Sequence, residues 1–280
     1  MSTSITDEED AMDKLESPGP VVVGIDGSTA AIRAAEWATK EALHQDVPLR
    51  LVHVIRTGAC PSAGDLEVEE EYAVSSLRAA RAAVQTTGMP VKIDTAVIRG
   101  DVGSALVAES SSATLICVGS VGIGRAASMV LGSTAATLAE QAHCSVAIIR
   151  RKDASSRQNG FIAMVVDYQP DNGEVMRWAM EEARVRRAPV LALGVWRWAL
   201  FEIGYEGLYR RLDHWLRRYP DVRVDVAATR SSVARYLEGH TDAVQLVVIG
   251  SEDADQVAQL VGPRSLPILA HADCSVLVAR

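Results

Sequence analysis

Apolar residues fall into short runs that alternate with longer stretches of helical spacing. Val21–Ile25, Pro48–Arg56, Val91–Ile98, Leu115–Val118 and Ser145–Arg150 read as strands, the third alternating as a half-exposed strand does. Between them lie helical stripes. The first has Ile32, Ala35, Trp37, Ala38, Ala42 and Leu43 on one side and Ser28 placed to cap it. Further helices are expected from about Leu66 to Gln85, from Gly100-Asp101 onward, and after Gly132-Ser133-Thr134. The order β-α-β-α-β-α-β-α-β predicts a parallel sheet with right-handed crossovers and helices on both faces.

The pattern then repeats. An offset of 141 carries Asp26, Trp37, Glu41, Pro48 and Val54 onto Asp167, Trp178, Glu182, Pro189 and Val195. An offset of 131 carries Leu106, Gly119 and Ser120 onto Leu237, Gly250 and Ser251, and one of 130 carries Gly132, Cys144, Val146 and Arg150 onto Gly262, Cys274, Val276 and Arg280. An ordered series of this kind predicts two tandem domains, 19–151 and 161–280, with an acidic, disordered stretch at 1–18 and a polar linker at 152–160. The drop from 141 to 131 places a ten-residue shortening between the second strand and third helix of the second half.

Composition narrows the function classes. The 280 residues are 48% hydrophobic with few aromatics, which suits close packing of helices on parallel strands. Residues 1–16 carry six acidic side chains against Lys14 alone, a balance of −5 that leaves −3 of the formal −8 for the rest. Without a basic run, a general nucleic-acid surface is not expected. No export signal and no apolar run of membrane-spanning length is read, so a cytoplasmic protein is expected. Cys117, Cys144 and Cys274 read as small buried hydrophobes, Cys60 as a loop thiol; no metal-ligand spacing occurs.

The candidate chemistry lies at the ends of strands one and four. In a sheet of order 3-2-1-4-5 these ends border the crevice where strand order reverses, the place where such sheets take ligands. Asp26 has two readings there: an acceptor for a base or ribose, or a cap for the first helix. Glycines after a strand let backbone N–H groups approach an anion, and a helix N-terminus adds unpaired donors. The Gly-Lys-Ser/Thr triplet of ordinary P-loops is absent, as is GxGxxG. His53 reads as a packed core histidine, and neither Ser28 nor Ser133 has a partner at a catalytic spacing.

The spacing Gly119-x2-Gly122-x9-Gly132-Ser133, with Val21-Val22-Val23-Gly24-Ile25-Asp26-Gly27-Ser28 and Leu51-Val52-His53-Val54 before it, resembles the universal stress protein family in its tandem-domain, actinobacterial form. The resemblance implies two Rossmann-like domains of the adenine nucleotide alpha hydrolase-like type, each a five-stranded parallel sheet of order 3-2-1-4-5. It implies ATP, with Mg²⁺, in the first. Carried over by position, Gly24, Asp26 and the Val54 backbone would meet adenine and ribose. Gly119, Gly122, Gly124 and Arg125 would cover the phosphates, with Gly132, Ser133 and Thr134 at a helix N-terminus. Assembly through the final strand of each domain, as a pseudo-dimer and a homodimer, is implied as well.

In the second half Gly122, Ser133 and Thr134 become Asp253, Pro263 and Arg264, which predicts a degenerate partner domain; the aromatic stretch 194–201 would cover its crevice, a partner surface being the alternative. The expected function is a nucleotide-dependent stress-response regulator with an unknown regulatory protein partner and at most weak hydrolysis. A weak Mg²⁺-dependent ATPase and a nucleotide-free interaction scaffold are the alternatives.

Overall fold

The computed structural model describes residues 18–57, 63–122, 131–150, 160–167, 172–195, 205–238, 244–262 and 274–280. Residues 1–17 of the expected disordered N-terminus, 152–159 of the linker, Cys60 and 196–201 of the aromatic stretch lie outside them. The first half runs β1 (Val21–Gly24), α1 (Thr29–His44), β2 (Leu49–Arg56), α2 (Ala63–Thr86), β3 (Ile93–Gly100), α3 (Val102–Ser110), β4 (Leu115–Gly119), α4 (Ser133–Gln141) and β5 (Ser145–Ile149). The second half runs β6 (Phe161–Val166), α5 (Asn172–Arg186), β7 (Val190–Val195), α6 (Tyr205–Arg218), β8 (Val224–Thr229), α7 (Val233–Glu238), β9 (Val244–Gly250), a 3-10 helix (Ser251–Gln256), α8 (Val257–Val261) and β10 (Ser275–Ala279).

All ten strands form one sheet in the order β3-β2-β1-β4-β5-β10-β9-β6-β7-β8. Each half therefore has the 3-2-1-4-5 order, parallel throughout. The register repeats with the sequence: Val21 pairs with Leu49 as Ile162 pairs with Val190, and Leu49 with Ile93 as Val190 with Val224. The offset is 141 at the first two strands and 131 at the third, so the shortening falls on the second helix. That helix has 24 residues in the first half and 14 in the second.

The halves meet where β5 and β10 pair antiparallel, Ile148 opposite Val276 and Val146 opposite Val278. The seam is nearly two-fold: Arg150 N–H donates to Ser275 Oγ and Arg280 N–H to Ser145 Oγ, each at 3.1 Å. This corrects the expected homodimer through the final strands. Each half's fifth strand is already satisfied by the other, so both are interior and the sheet's edges are β3 and β8. The pseudo-dimer is built within one chain.

Alternation along these strands feeds two cores, one on each face and each running through both halves. Leu115, Cys117, Ala147 and Leu277 face α1, α2, α5 and α6, while Ile116, Val118, Val146 and Val276 face α3, α4, α7 and α8. Ala31, Ala34, Ala35, Ala38 and Ala42 are all buried on α1, whose small side chains let it lie close on the sheet. Where α1 ends, Asp46 takes a φ of 55°, and its counterpart Arg187 takes 51° at the end of α5. The left-handed turn is thus part of the repeated fold.

Between the halves, α1 and α5 bury Glu41 and Glu182, which occupy equivalent positions. Arg186 bridges them, with Nη2 at 2.7 Å from Glu41 and Nε at 2.6 Å from Glu182, and its guanidinium lies 4.3 Å over the Trp37 ring. Burial first, and then the Glu182 charge, push the Glu41 carboxyl well above the usual range.

Candidate functional site

A cavity of about 370 Å³ opens at the C-terminal ends of β1 and β4. This is the switch point of the first half, and the size lies within the range of small-molecule pockets, about 300–1,000 Å³. Gly24, Ile25 and Asp26 reach it from β1, Val52, His53, Val54 and Arg56 from β2, and Val118 and Gly119 from β4. Ser28 and Ala31 at the start of α1, Glu69 and Tyr72 of α2, Val102 and Leu106 of α3, Val121, Gly122, and Gly132 to Ala135 at the start of α4 complete the wall.

Eight of the ten sequence-predicted residues thus converge: Gly24, Asp26, Val54, Gly119, Gly122, Gly132, Ser133 and Thr134. Gly124 and Arg125 lie outside the described residues, as do Pro263 and Arg264 of the second half. His143 is not in the wall; its N–H donates to Ser110 Oγ at 2.9 Å.

The wall has an apolar part and two polar parts. Val52, Val102, Leu106 and Val118 form an apolar slot on the α3 side. At one end α4 begins at Gly132, which has extended backbone and no side-chain cap, so the first amides of the helix carry the donors and dipole that favour an anion. The Gly132 N–H is itself bound by the Ser120 carbonyl at 2.8 Å, which closes the base of the intervening loop. The second polar part is made by the Asp26 carboxylate, which faces Gly122, and by His53 and Glu69.

The structure separates the readings of Asp26. Ser28 is the N-cap of α1, its Oγ accepting from Ala31 N–H at 3.1 Å. Asp26 Oδ1 accepts from Ser28 N–H at 2.9 Å and steadies the turn before the cap. Its other oxygen faces Gly122: a Cβ built there would lie 2.6 Å from Asp26 Oδ2. The intervening Gly27 has a φ of 86°, which glycine adopts without strain, and a Cβ there would meet the Tyr72 hydroxyl at 2.4 Å.

The glycines at the end of β4 and in the loop after it differ. A Cβ on Gly119 would meet Ala30 Cβ at 2.7 Å and the Ala30 carbonyl carbon at 2.8 Å, so its bareness lets β4 end against α1. The bare Cα of Gly119 is thus required by packing whatever it meets in the cavity. It borders the cavity but serves the packing of the fold, and it persists as Gly250.

Sequence reasoning missed Tyr72 and Glu69 and placed His53 in the core alone. Tyr72 donates from its hydroxyl to the Asp26 carbonyl at 2.9 Å and meets the His53 ring edge to face at 5.9 Å. Aligned at their C-terminal ends, α2 extends ten residues beyond α6, and those ten carry Glu69 and Tyr72. The shortening of the second half was the available signal.

In the second half larger side chains stand at the matching positions. Gly24, Ala31 and Gly122 correspond to Val165, Asn172 and Asp253. Asn172 is buried and its Nδ2 donates to the Val165 carbonyl at 2.9 Å. Asp253 is buried in the 3-10 helix that follows β9 at once, with Gln256 Nε2 at 2.6 Å from its Oδ1. Among the described residues no group of three or more His, Cys, Asp or Glu could hold a metal ion, and no helix is long and apolar enough to cross a membrane.

Comparison with known proteins gives a consistent result. The profile of the Universal stress protein family matches residues 19–150. Universal stress protein Rv2624c of Mycobacterium tuberculosis strain H37Rv is 48% identical over 261 residues, covering 93% of this chain and 96% of that protein. Universal stress protein Rv3134c of the same strain is 40% identical over 276 residues, 95% of this chain and 98% of that one. Among solved structures, a universal stress protein from Archaeoglobus fulgidus aligns with a TM-score of 0.69 over 94% of this chain and 96% of that chain, at 14% identity, a likeness of fold.

Proposed function

This chain belongs to the universal stress protein family, and on that premise we propose that its first half is a receptor for ATP and that the chain acts as a nucleotide-dependent stress-response regulator. The observation that carries the reading is one cavity joining an apolar slot to the uncapped N-terminus of α4. A nucleotide has a flat apolar base at one end and anionic phosphates at the other, and the wall offers a matching environment for each. Val52, Val54, Leu106 and Val118 would enclose the base. Gly122, which brings its backbone to the cavity without a side chain, and the amides and hydroxyls of Ser133 and Thr134 would take the phosphates.

Mg²⁺ would enter with the phosphates and offset their charge. On the protein side, the Ser133 and Thr134 hydroxyls stand where they would support it. Asp26 would turn its carboxylate to the sugar. Binding and release of the nucleotide, with hydrolysis slow or absent, is the activity this wall supports; the second half, with Asn172 and Asp253 where the first has Ala31 and Gly122, would be structural or regulatory.

The test is mass spectrometry of the purified chain followed by calorimetric titration with MgATP. One nucleotide per chain is expected. Two per chain would remove the assignment of the second half as a degenerate partner, and none would favour the scaffold reading. Phosphate release well above that of a Gly122→Ala variant would make the protein an ATPase.

A further inference from the structure

The edge strand β3 and the helix packed on it carry matching self-complementary patterns. Leu49 N–H donates to the Lys92 carbonyl at 2.8 Å, so with Leu49 opposite Ile93 the even-numbered residues of β3 turn their backbone polar groups toward β2. Ile93, Thr95, Val97 and Arg99 therefore turn theirs outward along the sheet's edge, a ready template for another chain. Ala96 and Ile98 pack into the core on the α3 face and Ile93 into the core on the α2 face, so Thr95, Val97 and Arg99 stand on the α2 face. Between Thr95–Val97 and α2 runs a groove of about 310 Å³ lined by Val74, Leu77, Arg78 and Arg81. Val74 is 49% and Val97 42% exposed, both among the few exposed large hydrophobic side chains.

Beside this edge α2 carries Glu67, Glu70, Val74, Arg78 and Arg81, all exposed. At about 3.6 residues per turn the five fall within about 40° of one line along the helix: two acids, a central valine, two arginines. Glu70 pairs with Arg99 and Arg78 lines the groove with Thr95, so α2 descends as β3 rises. The spacings match. From Glu70 to Arg78 the helix covers about 12 Å, and from Arg99 to Thr95 the strand covers about 13 Å. Val74 and Val97 therefore stand at one level. A two-fold axis at that level, normal to the sheet, sets β3 antiparallel to the β3 of a second copy, with Val97 opposite Val97 and Thr95 opposite Arg99. The same axis brings Val74 toward Val74, Glu70 toward Arg78 and Glu67 toward Arg81. We propose that this edge is a two-fold interface joining two copies of the chain, separate from the β5–β10 seam within each. Glu67 and Glu70 lie in the ten residues by which α2 exceeds α6, so the second half has no counterpart of the acidic end.

Sedimentation of the full chain over a range of concentrations should show a monomer converting reversibly to a species of twice the mass. Val97→Lys sets two cations against each other on the axis and should leave the monomer. Glu67→Arg and Arg81→Glu should each weaken the dimer roughly tenfold, since each turns two equivalent contacts repulsive. Mixing these two variants should restore it, because each then meets opposite charges in the other. Positions 67 and 81 lie about 21 Å apart along one helix, so no contact within a chain can mimic that rescue. A wild type monomeric at every concentration, a dimer indifferent to Val97→Lys, or variants that fail to recover on mixing overturns the proposal. Hydrogen exchange of the wild type decides the matter should a variant not fold: the amides of Thr95, Val97 and Arg99 should slow as concentration rises. Slow exchange at every concentration would mean an edge covered within the chain and overturns the proposal, as does fast exchange throughout.

Discussion

Gly119 and Gly122 stand three positions apart and answer to different constraints. For Gly119 the neighbour is the α1 backbone, which cannot yield, so Gly119→Ala should cost about 1–3 kcal/mol of stability, measured by denaturant unfolding. For Gly122 the neighbour is the Asp26 carboxylate in an open cavity. Gly122→Ala should leave the unfolding midpoint within about 0.5 kcal/mol of wild type, the range of substitutions outside packed features. It should abolish detectable nucleotide binding, because the new methyl displaces Asp26 and stands where the backbone would approach the phosphates. Equal loss of stability in both variants would contradict the division. The repeat carries the same message, since Gly119 is kept as Gly250 and Gly122 becomes Asp253.

At the scale of elements, the packing of α1 on α5 turns on Glu41, Glu182 and Arg186. Removing the one cation would leave two carboxylates buried together, so Arg186→Met should destabilise the fold by roughly 3–5 kcal/mol. Glu41 also gives the fold a pH dependence of known sign. Its folded-state pKa is raised above the ordinary 4.5, chiefly by burial. The folded chain therefore binds a proton that the unfolded chain releases. Its contribution is fully present below 4.5 and is lost as pH rises from there through the raised value. Glu41→Gln removes this titration. Thermal unfolding across that window should show a wild-type Tm that falls more steeply with pH than the variant's; parallel curves would refute the burial argument. The second helix offers a different lesson, because its ten additional residues bring Tyr72 and Glu69 to the cavity and leave the sheet order of the two halves alike.

At the scale of the molecule, the seam between β5 and β10 joins two five-stranded sheets into one and leaves neither strand an edge. Light scattering after size exclusion should therefore find no dimer that depends on these strands. Specifically, Val276→Lys, placed at the seam opposite Ile148, should lower stability without changing the association state of whatever remains folded. A dimer abolished selectively by that substitution would restore the intermolecular role.

The sequence by itself determined the strand order, the repeat and most of the wall. The elements and the repeat rest on local rules, period-2 and helical spacing and offsets that recur from Asp26 to Arg280, while the strand order and the wall residues came from the family resemblance. It also identified Gly122, Ser133 and Thr134 by what the second copy had lost. Tertiary structure alone decided what depends on through-space proximity. Tyr72 and Asp26 are 46 residues apart, and only the overhang of α2 brings the hydroxyl of one to the carbonyl of the other. His53 reads as core because it is buried; that its Nδ1 lacks a partner beside a cavity depends on three strands and a helix at once. The pairing of β5 with β10 was equally beyond the pattern, because an apolar final strand is compatible with a partner in the same chain or in another, and only the folded chain supplies the choice.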